Sequence, residues 1–284
     1  MLRVCLITLN SACFLLTGCG VGADENPYQQ TNKVVSTSLC GDGYLQTFAP
    51  EAIAALSWQS RSPLSLATKE QKHLPQASRS SETVLKWANH FILFGPGEST
   101  QIEDHLPQTY ELNWTESVKG VYENALALTE AIGVSDKAVR DWYFEITEFS
   151  QNPNPNPMPR ILYLTPAGGS AGTDTFVDAV ITLAGGQNIN TAVGWHNPSI
   201  ETLLSYKPDI IIKSFMQSNY HSRGHHTSPL LKTHFENTLH VEIAGKYWPC
   251  AGPGLLEATK ILRESILNWH QKEAHLPKGY DDEA

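Results

Sequence analysis

Ile200-Glu201-Thr202-Leu203-Leu204-Ser205-Tyr206-Lys207-Pro208-Asp209-Ile210-Ile211-Ile212 begins as a helix and ends as a strand. A polar start, an apolar turn, a proline break and a continuous apolar run follow one another. Short apolar runs bounded by breakers read as strands buried on both faces, as in a parallel α/β sheet. An earlier stretch, Ser81-Glu82-Thr83-Val84-Leu85-Lys86-Trp87-Ala88-Asn89-His90-Phe91-Ile92-Leu93, aligns on it without a gap, Asn89 standing where the later copy has Pro208. An α/β unit used twice predicts two similar lobes, and two similar lobes predict a cleft between them. The expected fold class is α/β, with two Rossmann-like lobes joined by a single interdomain helix and a ligand cleft between the lobes.

The flanking segments fill in the first lobe, expected over 33–134. Lys33 to Thr37 and Ile53 to Ser57 read as strands, with a short helix from Asp42 to Phe48 between them. Trp58 to Pro75 is polar and irregular; Thr109 to Leu112 reads as a strand and Ser117 to Ile132 as a helix. Ser135 to Phe149 reads as the interlobe helix, with Ser135 as its cap and Asp136 in the first turn. The alternating prolines of 152–157 end it, because proline cannot continue a helix. The connector therefore spans 135–158 and the second lobe 159–276. That lobe reads as a strand at Arg160 to Leu164, a turn containing Gly168, Gly169 and Gly172, a helix at Phe176 to Leu183 closed by Gly185-Gly186, and the second repeat copy. A helix at Pro229 to Glu236, a strand at Leu239 to Ile243 and a helix at Gly254 to His270 complete it. Residues 277–284 form an acidic tail.

The first nineteen residues have the layout of a bacterial export signal: Arg3, an apolar run from Val4 to Leu16, then small residues. Leu16-Thr17-Gly18-Cys19 resembles a lipobox, which would make Cys19 a lipidated first residue; ordinary cleavage near Ala23 is the alternative. Residues 20–32 are small and polar and read as a tether. The expected location is periplasmic, with the membrane reached through a lipid anchor only. A net charge of -9 argues against a nucleic-acid partner. Of five cysteines, Cys5, Cys13 and Cys19 fall in the signal, leaving Cys40 and Cys250. In an oxidising compartment the two can pair; unpaired, they would serve as small apolar pocket walls.

Catalytic motifs are missing. The glycine-rich turn lacks the Gly-Lys-Ser/Thr ending of a phosphate loop, and the chain has no Gly-x-Ser-x-Gly elbow, His-Glu-x-x-His helix or Cys-x-x-Cys pair. No resident cofactor or metal is expected. His221, His225 and His226, with Tyr220 and Arg223 among them, form the one polar cluster with ligating chemistry. It reads either as a solvated loop or as a transition-metal site.

The chain resembles the periplasmic substrate-binding proteins of ABC importers for iron–siderophore, haem and cobalamin. The resemblance is carried by Val34 to Asp42, by Thr175-Phe176-Val177-Asp178 through Ala184 to Asn188, by Glu201 to Leu204 with Lys207 to Ile212, and by Trp248-Pro249-Cys250-Ala251-Gly252-Pro253. It implies a monomeric, non-enzymatic protein that captures a metal chelate and delivers it to a permease driven by a cytoplasmic ATPase. It also implies that Glu82 and Glu201, matched in the two repeat copies, pair with permease arginines. Ligand contacts would come from loops at strand carboxyl ends, with Cys40, Asp42, Trp58, Arg61, Gly168, Tyr220, His221 and Trp248 as the expected set. Trp195 is a further candidate wall, and Arg79 and Arg223 are further candidate anchors for an anionic chelate. Two other functions remain open: a bare-metal receptor built on the histidine loop, and a two-lobed α/β enzyme of chelatase type.

Overall fold

Five short runs pair into the first sheet. β1 (Val34–Ser36), β2 (Ile53–Ser57), β3 (Gln76–Ala77), β4 (Phe91–Phe94) and β5 (Thr109–Glu111) lie in the order β3-β2-β1-β4-β5, all parallel. The structure, a computed structural model, describes residues 33–78, 80–98, 106–151, 156–214 and 228–275. The second sheet contains β6 (Arg160–Leu164), β8 (Gln187–Asn188), β10 (Ile210–Ser214) and β11 (Leu239–Ile243), in the order β11-β10-β6-β8 and again parallel. Between them in sequence, β7 (Ser170–Ala171) and β9 (Trp195–His196) form a small antiparallel pair.

The repeat is structural as well as sequential. α2 (Ser81–Leu85) feeds β4, and α6 (Ile200–Ser205) feeds β10; the strand starts Phe91 and Ile210 are aligned positions. Each strand is interior to its sheet, β4 between β1 and β5 and β10 between β6 and β11. That placement explains the unbroken apolar runs, since a strand covered on both faces has no solvent side to keep polar.

Alternate residues of each sheet enter different cores. Val35, Ala55 and Ile92 pack under Val84 of α2, and Leu162, Leu164 and Ile211 pack under Leu203 of α6 with Leu231 and Phe235. The other faces contribute Val34, Leu56 and Leu93 from one sheet, and Ile161, Tyr163 and Ile212 from the other, to one continuous core. α1 (Leu39–Phe48), α3 (Val118–Ile132), α4 (Lys137–Glu148), α5 (Phe176–Leu183) and α8 (Leu255–His275) enclose it; α7 (Pro229–His234) lies on the outer side. Each fully buried Val, Leu or Ile there contributes roughly 1.5–3 kcal/mol of transfer free energy.

α4 joins the halves. Trp142 meets Phe48 of α1 edge-on, with centroids 5.9 Å apart, and its Nε1 donates to Pro253 O at 2.9 Å, just before α8. A connector with a buried Trp142, Val139 and Ile146 is a structural member rather than a loose tether.

Several boundaries differ from the sequence reading, for local reasons. α1 starts at Leu39, ahead of Asp42, because the Ser38 side chain accepts from Gly41 N at 3.0 Å and caps it there. Asp136, not Ser135, holds the cap position of α4; Ser135 Oγ accepts from Lys137 N. α8 runs past His270 to His275. The strands β3, β7, β8 and β9, two residues each, are too short to leave a periodic signal.

Candidate functional site

Parallel strands end at a common edge, and in open α/β sheets that edge carries the ligand loops. The first loop, after β1, turns directly into α1 and places Cys40 in its first turn. Cys40 is disulfide-bonded to Cys250, 210 residues away, with the Cα atoms 5.6 Å apart. Cys250 lies in the 3-10 turn Pro249–Ala251 that follows β11, so the bridge ties the start of α1 to the last loop of the second sheet. Cys250 (φ 58°) and Ala251 (φ 47°) both occupy the left-handed region, at a cost of roughly 1–3 kcal/mol each that the surrounding structure must offset.

Asp42 is fully buried one helical turn into α1. Its Oδ1 accepts from Ser57 N at 2.8 Å and its Oδ2 from Ser57 Oγ at 2.6 Å, pinning α1 to the carboxyl end of β2. Burial pushes its pKa up to about 6, against the opposing effect of the Ser57 hydrogen bonds. Both oxygens face protein donors. Asp42 is therefore a brace beneath the loops, not the ligand contact expected from sequence.

Four aromatic rings form a graded cluster in the second lobe. Trp248, 2 % exposed, meets Tyr163 edge-on at 5.6 Å and Phe176 at 6.4 Å. Phe176 and Tyr163 in turn meet Trp195, at 5.0 and 6.0 Å, and Trp195 is 44 % exposed. The cluster thus runs from a buried floor to an open rim. Its rim residue stands on the β7–β9 pair, which closes tightly because Gly172 has no side chain: a Cβ there would fall on the Ala192 carbonyl.

Glu116 joins the two lobes at this rim. It belongs to the segment between β5 and α3, on the first sheet's side. Its Oε1 accepts from Trp114 Nε1 at 3.2 Å and from Trp195 Nε1 at 3.3 Å. Its Oε2 accepts from the backbone N of Phe176 at 3.2 Å, the first residue of α5. One carboxylate therefore holds two exposed indoles, one from each side, and sits at a helix N-terminus that favours its charge. Trp114 is 64 % exposed.

The other expected ligand residues fall at different places. Cys40 is half-buried beside a crevice shared with Leu39, Leu64, Lys246 and Tyr247. Trp58, 61 % exposed, stands on the 3-10 turn Trp58–Arg61 at the end of β2. Arg61 occupies the same turn, but its Nε donates to Lys72 O, so the guanidinium is engaged locally. Gly168 turns the chain after β6 with φ 85° and lines an apolar cavity of about 70 Å³ with Leu164, Leu203, Ile211, Leu231 and Phe235, on the outer face of the second sheet. Trp248 needs correction: its ring is a core element, 2 % exposed, with Tyr163 and Phe176 packed against it. Tyr220, His221, His225, His226, Arg79, Arg223 and Cys19 lie outside the described residues. Among the described residues no cluster of three or more His, Cys, Asp or Glu side chains could hold a metal ion, and no helix is long and apolar enough to cross a membrane.

Glu116 and Trp114 were not foreseen. Asn113 to Ser117 reads as a polar run-in to a helix, and the one available signal was a tryptophan placed in it without an apolar neighbour.

No protein-family model and no curated protein sequence matches the chain. Solved structures do. The periplasmic heme-binding protein HutB of Vibrio cholerae superposes with a TM-score of 0.66 at 17% identity, covering 82% of this chain and 98% of that one. The periplasmic vitamin B12-binding protein BtuF of the same organism gives 0.59 at 16%, covering 85% and 99%. Staphylococcus aureus IsdE, solved in complex with heme, gives 0.60 at 15%, covering 83% and 98%. The fold of this chain is the two-lobed α/β fold of these binding proteins, over nearly their whole length.

Proposed function

We propose that this protein is the solute-binding component of an ABC importer, capturing a metal chelate in the periplasm between its two sheets and delivering it to an inner-membrane permease. The observation that carries the reading is the meeting of the two lobes at a rim of exposed indoles, Trp114 from one and Trp195 from the other, around Glu116. A rim of that kind suits a ligand with broad apolar or conjugated faces, because exposed indoles offer large contact area with few polar demands. The solved relatives named for heme and vitamin B12 add weight to a chelate ligand. The role is transport, not catalysis.

Export through the 1–19 segment, lipidation at Cys19 and a tether over 20–32 complete the proposal, with the mature protein acting as a monomer. A continuous core and a covalent tie at Cys40–Cys250 favour small adjustments of the lobes over wide opening.

Delivery rests on two acids. Glu82 lies in the first turn of α2 and Glu201 in the first turn of α6, both on exposed positions of the repeated unit. Glu82 reaches Lys86 at 3.4 Å, an exposed i,i+4 pair worth only a few tenths of a kcal/mol. That pair therefore gives little local reason for an acid at Glu82, whereas a permease presenting arginines would. Reversing both, Glu82→Lys with Glu201→Lys, should abolish chelate uptake in cells while leaving the affinity of the purified protein for the chelate within about twofold. Normal uptake by the double variant would refute the docking role.

A further inference from the structure

The rim's electrostatics say more about the ligand than its aromatic character does. Three carboxylates stand along the strand-end edge of the first sheet, each held by N–H or O–H donors. Glu98 accepts from Thr37 Oγ1 at 2.9 Å and Gly95 N at 3.1 Å, Glu111 accepts from Gly97 N at 2.5 Å, and Glu116 accepts from two indoles and the Phe176 amide. Among the described residues no lysine or arginine pairs with any of the three. Among the described residues, Arg61 donates to the Lys72 carbonyl, and the Lys246 ammonium lies 5.0 Å from the centroid of its neighbour Tyr247.

Glu116 matters most of the three, because its charge lies between the exposed indoles. Any ligand that stacks on Trp114 or Trp195 comes within a few ångströms of that carboxylate. At such range, and with part of the water displaced, like charges repel strongly, whereas a positive or neutral group meets no such repulsion. Amide groups on the rim of a ligand can also offer N–H donors to a carboxylate already serving as a three-donor acceptor.

We propose that Glu116 is a specificity-determining residue that rejects polyanionic chelates, so that the ligand of this cleft is a neutral or cationic metal chelate. This rests on the transport reading and narrows its substrate class.

The test is a fluorescence titration of the mature protein and of Glu116→Gln with four probes graded by charge. These are a cationic ferric trihydroxamate, a neutral cyanocobalamin, haem with its two propionates, and a ferric tricatecholate polyanion. The parent should bind the cationic or neutral probe at least tenfold more tightly than either anionic one. Glu116→Gln should raise the affinity for the anionic probes about tenfold relative to that for the neutral one, a ratio that any disturbance of the rim common to all probes leaves unchanged. A second readout needs no variant: rising salt should weaken the cationic probe and strengthen the anionic ones, since screening relieves repulsion. An anionic probe binding the parent most tightly, or a Glu116→Gln change equal across all four probes, would overturn the inference while leaving a chelate-binding protein in place. Binding of none of the four would overturn both.

Discussion

Replacing Cys40 and Cys250 together by serine should lower the unfolding free energy by about 3–5 kcal/mol. The bridge closes a loop of 210 residues, most of the folded chain, and a loop of that length restricts the denatured ensemble close to the upper end of what one crosslink achieves. Both residues are only half-buried, so little of the change should come from lost packing. Urea unfolding of the parent and the double variant measures it. The denaturant dependence should steepen in the variant, because an uncrosslinked chain exposes more surface on unfolding. A free-energy change below about 1 kcal/mol would mean that the two cysteines are not bridged in the native protein. Serine at both positions should also increase the separation the lobes can reach, since α1 and the Pro249–Ala251 turn would then be held only by packing.

Truncating Trp248 to alanine should cost about 3–5 kcal/mol in stability, which places the effect on folding before it reaches binding. The ring is 2 % exposed and meets Tyr163 and Phe176, so its removal leaves a cavity that the surrounding rings cannot close without leaving their rotamers. Trp248→Phe should be much milder, at about 1–2 kcal/mol, because among the described residues the indole Nε1 has no hydrogen-bond partner to lose. Calorimetric melting of the two variants gives the comparison. A Trp248→Ala protein that melts with the parent but has lost its ligand would show the ring to be an open wall, as the sequence alone had suggested.

That reversal shows where sequence reading succeeded and where it stopped. The repeat at Ser81 to Leu93 and Ile200 to Ile212 was legible because burial on both faces leaves an unbroken apolar run, and the strands Ile53–Ser57, Arg160–Leu164 and Leu239–Ile243 begin and end where breakers were visible. Burial depth at a loop was not legible. Trp58 and Trp248 both follow a strand, yet one is 61 % exposed and the other 2 %, because only the second has Tyr163 and Phe176 packed over it from elements far away in sequence. Asp42 looked like a loop acid for the same reason; its partner Ser57 is a strand away. Glu116 was invisible because its meaning lies in donors 60 and 79 residues downstream.

The most direct test of the transport reading is a calorimetric titration of the mature, oxidised protein with metal chelates and, separately, with the corresponding bare metal ions. A chelate should bind with one site per chain, at micromolar affinity or tighter, and quench tryptophan emission from the Trp114–Trp195 rim as it does so. At a hundredfold excess over its dissociation constant it should raise the unfolding free energy by about 2.7 kcal/mol. Saturable binding of a bare metal ion, with no chelate binding at all, would contradict the account.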